Sequence, residues 1–210
     1  MSDDTLQRIF AGEVIIVDDF SLPFSGTDFL ERPLRKQGLS NFPGRFRILD
    51  STELREFERA IEETLSVKLL PESGVARIRR TGKGDRGQAF IHHDEAQFVC
   101  TVYLSDLPPE VEPEDFGTSF YRHRRTGWTQ FPQRKTLQLA SNLILRSDGH
   151  DLAAWDVVEK VPFRKYRALF YLGRLYHSPP ACVLDGRCGH ERLTLEFFGA
   201  LAGLSGGDPT

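Results

Sequence analysis

Three side chains in this chain have the types and spacing of a metal site. The stretch Ala89-Phe90-Ile91-His92-His93-Asp94 carries a His-x-Asp step, and Leu175-Tyr176-His177-Ser178 offers another imidazole far downstream. Residues i and i+2 of an extended strand point to one face. His92 and Asp94 can therefore grip one ion together while His93, the rival ligand, points away. Two imidazoles and one carboxylate on one face leave further coordination positions open, an arrangement suited to ferrous iron.

An iron ion held this way can also take a 2-oxo acid through its keto and carboxylate oxygens, with a position left for dioxygen. If that acid is 2-oxoglutarate, its second carboxylate lies deep in the fold. It then needs a cation, because a buried unpaired charge is costly. Arg192 is the candidate, since a guanidinium meets a carboxylate with a two-pronged fork. Thr194, two residues on, shares its face, and Tyr103 offers a phenol from the neighbouring strand. Arg77 and Arg79 share a strand face before the metal motif, and Arg79 is the candidate for a substrate carboxylate. The cluster Arg122-His123-Arg124-Arg125, with Tyr121 and Trp128 beside it, reads as a substrate-steering surface, an RNA contact or a solvated rim. Four basic positions and one Trp in a chain of net charge -3 make a weak nucleic-acid signal, and no nucleic-acid partner is expected.

Cys182, Cys188 and His190 invite a zinc reading, but Cys-x5-Cys-x-His lacks a short Cys pair and a fourth ligand. A free-thiol loop fits better. Cys100 reads as a small hydrophobe in a strand.

The elements that must position these groups are mostly strands. Glu13 to Phe20 is a β-rich run, residues 27–50 read as irregular, and Ser51 caps a helix through about Val67. Leu54, Phe57, Ile61 and Leu65 form its apolar stripe, which reads as core. Strands are expected at Val75 to Arg80, Gln88 to His93, Gln97 to Leu104, Gly117 to His123, Trp155 to Val161, Ala168 to Leu172, Leu175 to His177 and Arg192 to Phe198. A short helix around Leu137 to Leu145 suggests an insertion over about 124–152 near the pocket mouth, and the tail 203–210 reads as loose. Short strands with turn signals fit a β-sandwich or jelly roll with flanking helices.

At 210 residues the chain suits a single domain, with a jelly-roll core over about 75–200 and an N-terminal strand and covering helix over about 12–67. An apolar fraction of 40% with 16 Phe supplies one core and argues against disorder. The charge balance favours neither nucleic acid nor an anionic membrane. No apolar run reaches a membrane span, the start lacks a signal-peptide pattern, and 3 scattered Cys do not form a disulfide framework. A cytoplasmic protein with a small-molecule partner is the expectation.

The ordered set of a β-rich start, a helix, Ile-His-x-Asp, Val-Tyr-Leu, Gly-Thr-x-Phe-Tyr, a distal His and Arg-x-Thr resembles the prolyl-hydroxylase-like branch of Fe(II)/2-oxoglutarate dioxygenases. It is especially similar to a bacterial subgroup carrying Gly-Thr-x-x-Tyr-Arg-His and Val-Pro-x-Arg-x-x-Arg segments, here 117–123 and 161–167. The match covers roughly residues 12–200. The resemblance implies a double-stranded β-helix, with His92, Asp94 and His177 binding Fe(II) and Arg192 with Tyr103 holding the distal carboxylate of 2-oxoglutarate. It implies hydroxylation of an unactivated C–H bond in a small carboxylate-bearing metabolite or amino acid. A peptide side-chain hydroxylase and a noncatalytic jelly-roll binding protein are the alternatives. Asp94 argues against a halogenating variant, which needs a small residue there. The gap from His177 to Arg192 is longer than the family's usual span, so Pro179 to His190 must loop out.

Overall fold

Leu193, Leu195 and Phe197 alternate with Arg192, Thr194 and Glu196 along one strand, and this alternation divides the molecule into an apolar side and a chemical side. The computed structural model describes residues 2–24, 28–36, 44–85, 90–180 and 189–202. Its strands are β1 (Ile15–Val17), β2 (Arg35–Lys36), β3 (Arg45–Ile48), β4 (Val75–Thr81), β5 (Phe98–Tyr103), β6 (Thr118–His123), β7 (Trp155–Val161), β8 (Ala168–Leu172), β9 (His177–Ser178) and β10 (Arg192–Gly199). The helices are α1 (Ser2–Phe10), α2 (Asp28–Glu31), α3 (Ser51–Leu65) and α4 (Lys135–Asp148). A large sheet runs in the order β1-β8-β5-β10-β4-β3-β2, and a small one in the order β7-β6-β9. Neighbouring strands in both sheets are antiparallel. This is the double-stranded β-helix, or jelly roll.

Strand pleating sends successive side chains to opposite faces. Leu195 pairs with Val102 and Ile78, Phe197 with Cys100 and Ala76, and all join the core that contains Phe57, Ile61 and Leu65 of α3. Phe57 meets Phe197 and Phe20 edge-on, with ring centroids 6.3 and 6.1 Å apart. On the opposite face, Thr194 sits across from Arg79 and Tyr103, and Glu196 across from Arg77 and Thr101. Both faces of β5 and β8 are buried, as expected where helices cover one side and a second sheet the other.

The covering helix α3 begins at Ser51, but its cap is Asp50. The Asp50 carboxylate accepts from the backbone N–H groups of Thr52 (2.9 Å) and Glu53 (3.0 Å), and Glu53 returns a bond to the Asp50 N–H at 2.9 Å. This capping box satisfies donors that a helix start otherwise leaves bare. Glu53 also accepts from Arg47 and Arg32, tying α3 to the edge of the large sheet. The helix stops at Ser66, whose φ of 55° is left-handed.

Three expectations need correction, and one helix was not anticipated. Residues 27–50 were expected to be irregular, yet they contain α2, β2 and β3; the alternation Arg45-Phe46-Arg47-Ile48 was the overlooked signal. The helix α1, with Ile9 fully buried, carries an apolar stripe that the sequence reading missed. No strand forms in the described part of 88–93: His92 makes only an isolated bridge to His177, and Gln88 and Ala89 lie outside the described residues. The strand expected at 175–177 is β9, displaced to His177–Ser178. The tail 203–210 lies outside the described residues. No described helix is long and apolar enough to cross a membrane.

Candidate metal centre and its pocket

His92 and His177 face each other across a bridge between two segments far apart in sequence. His92 N–H donates to His177 O at 3.1 Å, and His177 N–H returns to His92 O at 2.9 Å. Asp94 is fixed separately, its N–H donating to Gly173 O at 2.8 Å. The turn at Gly173 has no room for a side chain: a Cβ there would stand 2.0 Å from Ala96 O. The ligand atoms of His92, Asp94 and His177 all lie within 4.8 Å of one another. His93 turns away and stacks on Phe131, with ring centroids 4.0 Å apart.

The hydrogen bonds on the far side of each ring decide what the near side can do. Nδ1 of His92 lies 3.0 Å from Phe90 O, and Nδ1 of His177 lies 2.8 Å from Leu175 O. A carbonyl only accepts, so both Nδ1 atoms carry the proton. In the neutral rings, both Nε2 lone pairs are then left for a metal, the second-sphere pattern of ligating histidines. Nε2 of His177 stands 3.3 Å from Asp94 Oδ2 and 3.4 Å from the Tyr171 hydroxyl. Burial, aided by the neighbouring His177, pushes His92 down to about 4, so it is neutral at neutral pH. Burial also opposes charge on His177 and Asp94, but their mutual hydrogen bond wins: His177 is raised and Asp94 lowered. The donor set and its fixed tautomers fit a divalent cation.

The three residues open onto a pocket walled by the chemical faces of β4 and β10. At one end lies Arg192, 5% exposed, with Nε donating to Phe116 O at 3.1 Å and its guanidinium 5.4 Å from the Tyr103 ring. The Tyr103 hydroxyl donates to Thr118 Oγ1 at 2.8 Å, and Thr118 also lies 3.5 Å from Arg192 Nη2. No carboxylate of the described residues lies within ion-pair distance of Arg192. Thr194, expected beside the cosubstrate, instead donates to Glu196 Oε1 at 3.1 Å; Thr118 is the hydroxyl beside Arg192. Further along the same strand faces, Arg77 and Arg79 both bond Glu196 Oε2, at 2.7 and 3.3 Å. Burial opposes ionisation of Glu196, yet Arg79 and Arg77 hold its carboxyl down at about 2. Glu196 is a pocket residue that the sequence reading missed, although the alternation Arg192-x-Thr194-x-Glu196 carried the signal.

The remaining substrate candidates are elsewhere. Tyr121 packs with Ile91, Ile144, Trp155 and Tyr176 in a second small core, with Trp128 against it. Arg122 and Arg124 pair with Asp156 on the surface. No described residue of 124–152 is among those lining the pocket. This segment instead contacts the neighbours of the histidine cluster: Gly149 O, just past α4, accepts from Ile91 N–H, and Ser141 bonds the Tyr176 hydroxyl beside His177. His123 fastens β6 to the same helix through Asp148 at 3.0 Å. In the 161–167 segment, Arg164 and Arg167 pair with Asp18, clasping the N-terminal strand. Cys182 and Cys188 lie outside the described residues, and His190 sits 3.7 Å from Glu110.

The fold is similar to that of a Pseudomonas putida prolyl-4-hydroxylase (15% identity, TM-score 0.52, covering 95% of this chain and 98% of that one). It is also similar to HygX from Streptomyces hygroscopicus, solved with nickel and 2-oxoglutarate bound (15%, 0.53, 95% and 87%). A third neighbour is SnoN from nogalamycin biosynthesis, a non-haem α-ketoglutarate-dependent epimerase (15%, 0.52, 99% and 93%). No curated protein matches the chain. The architecture is thus the double-stranded β-helix shared with Fe/2-oxoglutarate oxygenases of prolyl-4-hydroxylase type. The chain belongs to DUF6445, described as a family of unknown function, which matches residues 47–199.

Proposed function

We propose that this protein is an Fe(II)- and 2-oxoglutarate-dependent oxygenase that hydroxylates a C–H bond of a small carboxylate-bearing molecule. The observation that carries the reading is Arg192: a buried guanidinium with no carboxylate of the described residues within ion-pair distance, in the same pocket as the His92/Asp94/His177 cluster. An unpaired buried cation is costly and marks a place where an anion belongs. The distal carboxylate of 2-oxoglutarate suits it, with Thr118 and Tyr103 adding hydroxyls.

Bound iron, 2-oxoglutarate and dioxygen together supply the oxidising power: the cosubstrate is converted to succinate and carbon dioxide as one oxygen atom enters the substrate C–H bond. The chain's own residues bind and orient. Phe90 O and Leu175 O hold the Nδ1 protons of His92 and His177, so that each ring, once neutral, presents its Nε2 lone pair. Asp94 would add one negative charge to the donor set that holds the metal. Arg192 fixes the far end of the cosubstrate, and the sheet faces around it exclude water. Anaerobic titration of Fe(II) and 2-oxoglutarate should produce the weak visible charge-transfer band of the chelate, and His177→Ala should abolish it. A band unchanged in that variant removes His177 from the site and with it this function.

A further inference from the structure

Two buried hydroxyls, Tyr171 on β8 and Thr101 on β5, line the pocket together with the metal cluster. In the β5–β8 register Tyr171 lies opposite Val99 and Thr101 opposite Leu169, so both side chains project from the chemical face of the large sheet. The Tyr171 ring meets Phe120 and His177 edge-on, each with centroids 5.1 Å away, which fixes the direction of the phenol. Among the described residues its hydroxyl has two polar neighbours, His177 Nε2 at 3.4 Å and Thr101 Oγ1 at 3.5 Å. Both contacts are longer than a well-made hydroxyl bond. A metal held by His177 takes the Nε2 lone pair, and the phenol then loses the nearer acceptor. A buried O–H without an acceptor is costly, so whatever sits on the ion has to supply one.

We propose that Tyr171 donates a hydrogen bond to the chelating head of the 2-oxo acid, with Thr101 turning the phenol hydrogen toward it; the inference rests on the oxygenase reading. Ligand atoms at right angles, about 2.1 Å from one ion, are about 3 Å apart. A hydroxyl 3.4 Å from Nε2, on the lone-pair side of the ring, therefore stands beside the neighbouring coordination positions. The keto and carboxylate oxygens of a 2-oxo acid only accept, and a phenol can donate. The Thr101 hydroxyl has no other hydrogen-bond partner among the described residues. It can donate to the phenol oxygen and leave the phenol hydrogen free for the acid.

The test titrates the full chain, loaded anaerobically with Fe(II), with 2-oxoglutarate and with 2-oxopentanoate, which lacks the distal carboxylate. Tyr171→Phe should weaken both acids by the same factor, about tenfold or more. The charge-transfer band should move to shorter wavelength, because the lost hydrogen bond no longer stabilises the electron-accepting acid. Fe(II) affinity without acid, read by competition with a coloured chelator, should stay unchanged, which a merely structural role does not predict. Thr101→Val should shift both readouts the same way by less, and Thr101→Ser should restore them. Unchanged affinities with an unmoved band in Tyr171→Phe overturn the inference. So does weakening of 2-oxoglutarate alone, which assigns the phenol to the distal carboxylate, or a matching loss of Fe(II) affinity, which assigns it to the metal. Each of these, with a band in the wild type, leaves the oxygenase reading standing. No band in the wild type overturns both.

Discussion

Replacing Arg192 with Met removes one guanidinium while keeping most of the side-chain volume. Arg192 donates to Phe116 O and to Thr118 Oγ1, and no carboxylate of the described residues lies within ion-pair distance of it. Folding should therefore survive the loss of two hydrogen bonds. The cosubstrate should feel far more. Truncating one partner of a buried charged pair costs about 2–5 kcal/mol, or about 30-fold to several thousandfold in affinity. The assay is anaerobic titration of the Fe(II) protein with 2-oxoglutarate and, separately, with 2-oxopentanoate, which has the same chelating head and no distal carboxylate. The wild type should prefer 2-oxoglutarate by that factor, and the variant should bind both acids alike. If Arg192→Met keeps the full preference, another cation holds the distal carboxylate and the argument from the unpaired guanidinium fails.

Two further outcomes follow from the metal centre. Gly173→Ala puts a methyl 2.0 Å from Ala96 O and 3.1 Å from Asp94 O, so the turn carrying Asp94 must shift. We expect a loss of about 1–3 kcal/mol of stability and weakened metal binding, read by thermal melts with and without Fe(II); unchanged melts and unchanged affinity would show that the turn adapts freely. The raised His177 gives the metal-free protein and the metal complex opposite pH trends. Its protonated pairing with Asp94 adds stability that is full below 6.5 and lost as pH rises through the raised folded value. Metal must displace that proton, so affinity should fall up to about tenfold per pH unit on acidification below the same value. His92, at about 4, joins only in stronger acid. Metal affinity flat from neutral pH down to 5 would show that His177 binds no competing proton.

Much of the site was legible because it is written in local spacing. His-x-Asp needs only an i, i+2 relation, and Arg192-x-Thr194 lies on one strand face whatever the strand's partners are. The stripe Leu54, Phe57, Ile61 and Leu65 likewise announced the helix that covers the sheet. The misplaced candidates are those whose role depends on what lies across from them. Tyr121 and Trp128 carry the aromatic types of a substrate wall, but their strand and loop pack against α4, and the rings are used in a second core. Arg122 and Arg124 are taken up by Asp156 on the neighbouring strand β7. Arg79 reached the pocket as expected, yet it is bound to Glu196, which no pattern around Arg79 reveals.

The sequence by itself determined the types of donor, the strand faces that carry them and the helix that buries the opposite face, because pleat and helix periodicities are properties of the local chain. Tertiary structure alone decided that His92 meets His177, that Asp94 hangs from Gly173 O, and that Arg77 and Arg79 share one carboxylate. Those facts depend on strand register and on the close approach of segments far apart in sequence. Both are set by how the whole core packs, and no short window of residues contains that information.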